Sequence, residues 1–460
     1  MKLTLQRRQV RVPEGRIGHV LVLPWFIDPE RGPVRCDAAP LLAEWLSASL
    51  SRAAGNVHGV ELRAVPGAGE IGAGPSAAGV MSSVSWVGRD GGVGGFALVT
   101  HRDDGVASAA ATAAMRRWTE LLRSRRLLVT DMPALCRGGR RAVRMVDGMA
   151  REATRPDGGR LFVVGRPVTG APWPTAWRQA GVVCVDDLDA VPDGAPVVFP
   201  AHGVPPSIRA EAARRPLRVI DGTCPLVTAV QADAAAYAAR GDHVVVIGDR
   251  SHASLPVLTA CAGPAAEVVH GVADVPAAVA RTQDAVSFVI DPGMAVEDAL
   301  PIVTALRDHV PQLAGHHFDV LCDAASDRAQ TIASVSSGSE LTFVLAADER
   351  DPDAQVALRS AATRPPAGFP AVRVVTRLAD LEAEPLAGAT AIGLVVTQSA
   401  PAGLREQVVA ALAGLGPLTC RRRTVDTTPL PVRAAGPIED APAGDRGTGG
   451  TVAERPDSLV

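Results

Sequence analysis

Short apolar runs rich in β-branched residues recur along this chain, each followed by an alanine- and arginine-rich stretch of helical character. They include Arg126-Leu-Leu-Val-Thr-Asp, Leu161-Phe-Val-Val-Gly, Pro196-Val-Val-Phe-Pro and Leu217-Arg-Val-Ile-Asp. Further on come His243-Val-Val-Val-Ile-Gly-Asp, Val286-Ser-Phe-Val-Ile-Asp, Leu341-Thr-Phe-Val-Leu and Ile392-Gly-Leu-Val-Val-Thr. Continuous runs, as opposed to alternating ones, suit strands covered on both faces, and the helical stretches supply the covering layers. The pattern predicts an α/β protein with parallel sheets, and the strand count predicts more than one sheet.

Residues 1–122 read as a separate α/β unit. His19-Val-Leu-Val-Leu-Pro-Trp-Phe predicts a strand, Ala39–Ala53 an amphipathic helix, Gly95-Phe-Ala-Leu-Val-Thr another strand, and about Ala107–Arg123 a second helix. Between them lies a glycine-rich stretch from Gly67 to Gly95. Gly67-Ala-Gly-Glu-Ile-Gly72 has the form G-x-G-x-x-G, but Ala-Gly-Pro-Ser follows it where a helix start is needed to receive a pyrophosphate, so it reads as a glycine loop. The main body spans 123–428. From 429 to 460 the chain is rich in proline, glycine and charge and reads as a disordered tail.

Composition narrows the function classes. The 460 residues are 47% hydrophobic and 21% charged, with a net charge of −3, which leaves no electrostatic footprint for nucleic acid or an anionic membrane surface. The chain start turns polar before a signal-like apolar core forms, and no stretch reaches the ~18 apolar residues of a membrane span. The cytoplasm is the expected compartment. Seven cysteines are too few for a disulfide scaffold of this size. They are core fillers, nucleophiles or metal ligands.

Polar residues of chemical interest cluster where predicted strands end. Asp131 closes one strand, with Cys136 five residues beyond it; His202 follows Pro196–Pro200, and Cys224 follows Val219-Ile-Asp-Gly-Thr. His252 follows His243–Asp249, and Ser399 follows Leu394–Thr397. Ligands of open α/β sheets bind at the carboxyl ends of strands. Cys136, Cys224 and Cys322 each stand just before a predicted helix, such as that from about Val227 to Ala239. A helix N-terminus stabilises thiolate, the metal-binding form. Taken singly, a buried cysteine is more often a small hydrophobe. That reading suits Cys36, Cys184, Cys261 and Cys420. His316 and His317 have no supporting context and read as surface residues.

Residues from about 124 to 425 resemble the 4-hydroxy-3-methylbut-2-enyl diphosphate reductase (IspH/LytB) family of isoprenoid biosynthesis. The resemblance is carried by Ala201-His-Gly-Val, Asp221-Gly-Thr-Cys-Pro-Leu-Val-Thr and Ile247-Gly-Asp-Arg-Ser-His. Leu128-Val-Thr-Asp-Met-Pro-Ala-Leu-Cys, Asp319-Val-Leu-Cys and Ser399-Ala-Pro agree more loosely. It implies three α/β lobes in a trefoil around a 4Fe–4S cluster, held here by Cys136, Cys224 and Cys322. Three protein ligands leave one iron open to act as a Lewis acid on a substrate hydroxyl. It implies reductive removal of an allylic hydroxyl, giving isoprenoid precursors, with His202, His252 and Ser399 at the substrate and ferredoxin or flavodoxin as electron donor.

The departures from that family are equally specific. The family's proton-donating glutamate is Ser254 here, in His252-Ala-Ser-Leu-Pro-Val. A serine hydroxyl is a poor general acid. The family's Val-His-Asn aligns with Val168-Thr-Gly-Ala, and its Thr-Gln-Thr-Thr aligns near Ile290-Asp-Pro-Gly. Its Ser-x-Asn diphosphate clamp gives way to Ala347-Asp-Glu-Arg-Asp, acids where a diphosphate wants donors. Three functions follow as alternatives: the isoprenoid-pathway reductase, a same-fold reductase for another substrate in specialised metabolism, and a redox-sensing or binding protein on this scaffold.

Overall fold

In the computed structural model, all residues are described except 1, 11–16, 53–58, 63–78, 89–90, 133–134, 154–159, 167–173, 251, 281–284, 317, 319–320, 363–370, 428–450 and 457–460. The G-x-G-x-x-G loop, the Val168 segment, His317 and most of the segment from 429 fall outside the described residues. The chain divides into two compact units: Met1–Asp131 with Ile332–Arg423 and Ala453–Val460, and Met132–Thr331 with Thr424–Val452.

The first unit holds two main sheets. A five-stranded sheet has the order Lys2–Val10, Gly79–Val87, Val93–His101, His19–Leu23, Gly59–Leu62. Its first four strands pair antiparallel, and only the last pair is parallel. The N-terminal unit thus departs from the parallel pattern of the rest. The glycine-rich stretch from Gly67 to Gly95, in which no strand was expected, contains the nine-residue strand Gly79–Val87. Ser83 and Ser85 sit buried on it, Ser85 by donating its hydroxyl to the buried carboxylate of Asp28 at 2.7 Å, so its polar letters conceal a core strand.

The other sheet of this unit orders Ala371–Val375, Leu341–Leu345, Ala391–Val396, Arg125–Thr130, Leu418–Asp426 and Thr451–Pro456. The first five pair in parallel, as the continuous apolar runs require. Thr451–Pro456 forms a strand within the segment expected to be a tail. One hydrophobic core runs through both sheets, from Val20, Leu42, Phe96 and Trp118 to Phe343, Leu394 and Leu412. Residues from the first 122 contribute to that core.

The second unit carries two parallel four-stranded sheets. One orders Val182–Val185, Leu161–Val164, Pro196–Phe199, Arg218–Asp221. The other orders Glu267–Val269, His243–Ile247, Val286–Ile290, Ala314–Gly315. Strands such as Val286–Ile290 are buried at every position. Hydrogen-bond register aligns Ile247 with Ile290, so the residues after both strands emerge side by side. The class is α/β, as predicted. No helix among the described residues is long and apolar enough to cross a membrane.

Candidate functional site

Each of three cysteines stands at the start of a helix in the second unit. Cys136 precedes Arg137–Ala153, Cys224 precedes Pro225–Ala239, and Cys322 precedes Asp323–Ser337. Their carbonyls accept the first helical bonds, from Arg140, Thr228 and Ala325 at 2.9 Å each. Cys224 has extended backbone with Pro225 at the first helical position, where its missing N–H is no loss. Helix-start N–H groups point at the sulfurs: Gly139 N–H lies 3.3 Å from Cys136 Sγ, and the Ala324 N–H serves Cys322. Two of these turns are tied to neighbouring loops. Cys224 N–H donates to Ala201 O at 2.8 Å, and Cys322 N–H to Pro292 O at 2.9 Å.

The three thiols converge. Cys136 and Cys322 share a hydrogen bond, and Cys224 lies close enough to Cys322 to act on it electrostatically. A Cβ at Gly138 would fall 2.7 Å from Cys224 Sγ, so only glycine lets the Cys136 helix approach that sulfur. The hydrogen bond from Cys322, opposed by burial and assisted by the Gly138 and Gly139 amides, pulls the Cys136 thiol down to about 5. Cys322 is pushed up by the same shared proton and by burial. The shared hydrogen bond thus favours the charged form on Cys136 and the neutral form on Cys322. Among the described residues no three His, Cys, Asp or Glu side chains close on one point as a single metal ion requires. An all-sulfur set of three separate helix caps instead suits a polynuclear iron–sulfur group, which offers a different iron to each thiolate.

Beside the thiols lies a buried carboxylate that the sequence reading passed over. Asp291, fully enclosed at 1% exposure, follows the strand Val286–Ile290. It accepts from Ser254 Oγ at 2.6 Å and from Gly293 N–H at 3.1 Å, and its Oδ2 lies 2.7 Å from His252 Nδ1. Because the serine hydroxyl is spent on Asp291, the 2.8 Å contact between Ser254 Oγ and His252 Nδ1 has the ring as donor. Burial works against charge on His252, but attraction and hydrogen bonding to Asp291 outweigh it and raise its pKa. Burial likewise opposes ionised Asp291, and the His252 charge with these donors brings it down. A Cβ at Gly293 would fall 1.9 Å from His252 Cε1, so that glycine makes room for the ring. The signal for Asp291 was an aspartate closing a strand parallel to the one that leads to His252.

His202 shares this neighbourhood. Burial first, then the nearby His252 charge, lowers its pKa to about 4, so the ring is neutral. Ser254 is 1% exposed and acts as a brace. Ser399 belongs to the first unit, where its Oγ lies 3.0 Å from Thr397 Oγ1 and accepts from Ala347 N–H at 3.3 Å. Cys36 and Cys420 are buried fillers as expected; Cys184 is not, lying exposed on an edge strand with its thiol on Gly165 O. His316, expected at the surface, has a ring only 4% exposed, whose Nε2 accepts from Ile290 N–H at 3.0 Å.

A family model described as LytB protein matches residues 128–413, well over half the chain. The chain belongs to the LytB family. This LytB chain is 32% identical over 308 residues to 4-hydroxy-3-methylbut-2-enyl diphosphate reductase 2 of Mycobacterium bovis, covering 65% of this chain and 90% of that one. The corresponding reductase of Ruegeria pomeroyi is 34% identical over 236 residues, covering 50% and 72%. Among solved structures, the E-1-hydroxy-2-methyl-but-2-enyl-4-diphosphate reductase of Plasmodium falciparum superposes with a TM-score of 0.53 at 21% identity, over 65% of this chain and 92% of that one. The two share a fold. The family match begins at residue 128, so the N-terminal sheet of this LytB protein lies outside it.

Proposed function

We propose that this LytB protein is an iron–sulfur oxidoreductase of the 4-hydroxy-3-methylbut-2-enyl diphosphate reductase type, which reductively removes the allylic hydroxyl of a small diphosphate. The observation that carries this reading is the meeting of three cysteine thiols from three helix starts beside the His252–Asp291 pair. A 4Fe–4S group on Cys136, Cys224 and Cys322 would supply electrons and, with three protein ligands for four irons, one open coordination position. Ferredoxin or flavodoxin is the electron donor in this reading.

The protein's own part is orientation and proton supply. His252 Nδ1 is committed to Asp291 and Ser254, which leaves Nε2 as the nitrogen that hands a proton to the departing hydroxyl. Asp291 fixes the ring and balances its charge. Ser254 anchors Asp291, so the loss of a family acid at position 254 is met by a carboxylate from the adjacent strand. His202, kept neutral, hydrogen-bonds substrate without adding a second cation. The experiment is anaerobic turnover of the hydroxymethylbutenyl diphosphate with reduced methyl viologen. Release of isopentenyl and dimethylallyl diphosphates supports the reading, and a loaded protein that releases neither contradicts it.

A second reading keeps the chemistry and changes the substrate. Asp348 and Glu349 are exposed in the loop after Leu341–Leu345, whose Ala347 amide binds Ser399. The LytB family has a Ser-x-Asn diphosphate clamp where this chain reads Ala347-Asp-Glu-Arg-Asp, and exchanging donors for acids favours a less anionic hydroxylated substrate. Faster turnover of the monophosphate or free alcohol than of the diphosphate would select this reading.

A further inference from the structure

The Cys136 helix, Arg137–Ala153, has two opposed faces. Ala142, Val146 and Ala150 form its buried stripe, and Val146 and Ala150 pack on Leu161, Val163 and Val198 of the sheet beneath. Arg137, Arg140, Arg141 and Arg144 lie at helical spacing on the other side, all exposed. No acid stands among them. Asp147, the first to follow, accepts from Trp177 Nε1 at 2.6 Å, and Glu152 lies 3.7 Å from Arg218.

This placement runs against helix electrostatics. Cations are unfavourable in the first turn, where the dipole is positive, yet Arg137 opens that turn, Arg140 closes it, and no acid stands in it. Helix stability therefore does not account for a basic first turn. The stripe instead surrounds the candidate electron-entry point. Cys136, the residue before the helix, is itself exposed, and Arg141 donates to Thr223 O at 3.0 Å, next to Cys224. At 1.5 Å per residue the farthest of the four, Arg144, stands about 12 Å along the helix axis from Cys136. In a chain of net charge −3, this is a local positive field at the thiols.

We propose that the exposed arginine stripe of the Cys136 helix is the docking surface for a small acidic one-electron carrier protein of ferredoxin or flavodoxin type. The inference rests on the reductase reading and deepens it by assigning the carrier a place. Two reduced carriers each give one electron and leave oxidised. The substrate C–O bond breaks, the hydroxyl leaves as water with one proton, and a second proton and the electron pair form the new C–H bond: R–OH + 2 e⁻ + 2 H⁺ gives R–H + H₂O. Complementary charge sets encounter rate and orientation, so the contact is salt-sensitive.

The test compares the full-length wild-type protein with R140E/R144E and the milder R140Q/R144Q. Binding of a plant-type [2Fe–2S] ferredoxin is measured by calorimetry at about 0.05 and about 0.2 M salt, where screening differs strongly, and turnover is measured with reduced ferredoxin and with reduced methyl viologen. The expected result is a dissociation constant raised roughly tenfold or more by charge reversal and by salt, less by the glutamine pair, with ferredoxin-driven turnover falling in parallel. Methyl viologen-driven turnover stays at the wild-type level, which also shows the variants to be folded and loaded. Ferredoxin bound equally by all three proteins would overturn the proposal. So would loss in the variants of binding to DNA or to phosphatidylglycerol vesicles with ferredoxin binding untouched. A wild-type protein that turns over with neither donor refutes the reductase reading, and the calorimetry then decides the surface by itself.

Discussion

A hydrogen bond joins Cys136 and Cys322, and Asp291 and His252 form a charge-bearing contact beside them. Around both pairs, single residues decide whether the arrangement exists. Gly138 is one, since any side chain there meets Cys224 Sγ. G138A is expected to lower iron retention per chain to well under half of wild type at unchanged helix content, measured by iron assay and circular dichroism. Asp291 is another. D291N keeps the shape but removes the charge that sets the His252 ring, so kcat should fall about a hundredfold, the lower end for loss of acid–base assistance, while KM moves only a few-fold. An equal rise in KM would recast Asp291 as a binding residue. The three cysteines were legible in the sequence because helix starts and a family resemblance both marked them. Asp291 was not, because only the pairing of Ile247 with Ile290 brings it to His252.

At the scale of elements, apolar runs read correctly wherever a strand is buried on both faces, as with His243–Ile247 and Leu341–Leu345. They misled where the interior is polar. Gly79–Val87 hides behind buried serines that Asp28 makes tolerable, and Lys2–Val10 is an edge strand whose exposed side needs no apolar signal. Helix boundaries were close: Ala39–Arg52 against Ala39–Ala53, and Gly105–Glu120 against about Ala107–Arg123. The second of these starts at a cap the sequence reading did not use. Asp104 accepts from Ala107 N–H at 2.8 Å and also from Gly18 N–H, and these bonds hold its carboxyl below the ordinary range. A depressed folded-state pKa gives stability that is present above the unfolded carboxylate value, about 3.9, and lost as pH falls through the folded value. D104A is therefore expected to cost about 1 kcal/mol near neutrality, with the gap in denaturation midpoint narrowing towards pH 3.

For the molecule as a whole, the N-terminal 122 residues were the part least legible in the sequence, which offered an α/β unit with no site. Among the described residues they supply more than half of the first unit's buried core. Arg125 fastens this arrangement: 3% exposed, it donates to the carbonyls of Leu121 at 2.7 Å, Leu386 at 3.0 Å and Leu415 at 2.9 Å. Burial lowers its pKa to about 10, so it remains charged at neutrality. R125M leaves three buried carbonyls without their donor and should cost about 3 kcal/mol or more, read as a lower urea midpoint for the first unit. An unchanged midpoint would separate the N-terminal sheet from the stability of the later lobe.

The central claim is that three helix-capping cysteines hold one iron–sulfur group. Its most direct test is iron and acid-labile sulfide per chain, on full-length protein prepared without oxygen, with C224A alongside. The account predicts about four of each for the wild type, the content of a 4Fe–4S centre, and a large loss in C224A. No iron in the wild type after anaerobic reconstitution, or equal iron in C224A, would contradict it.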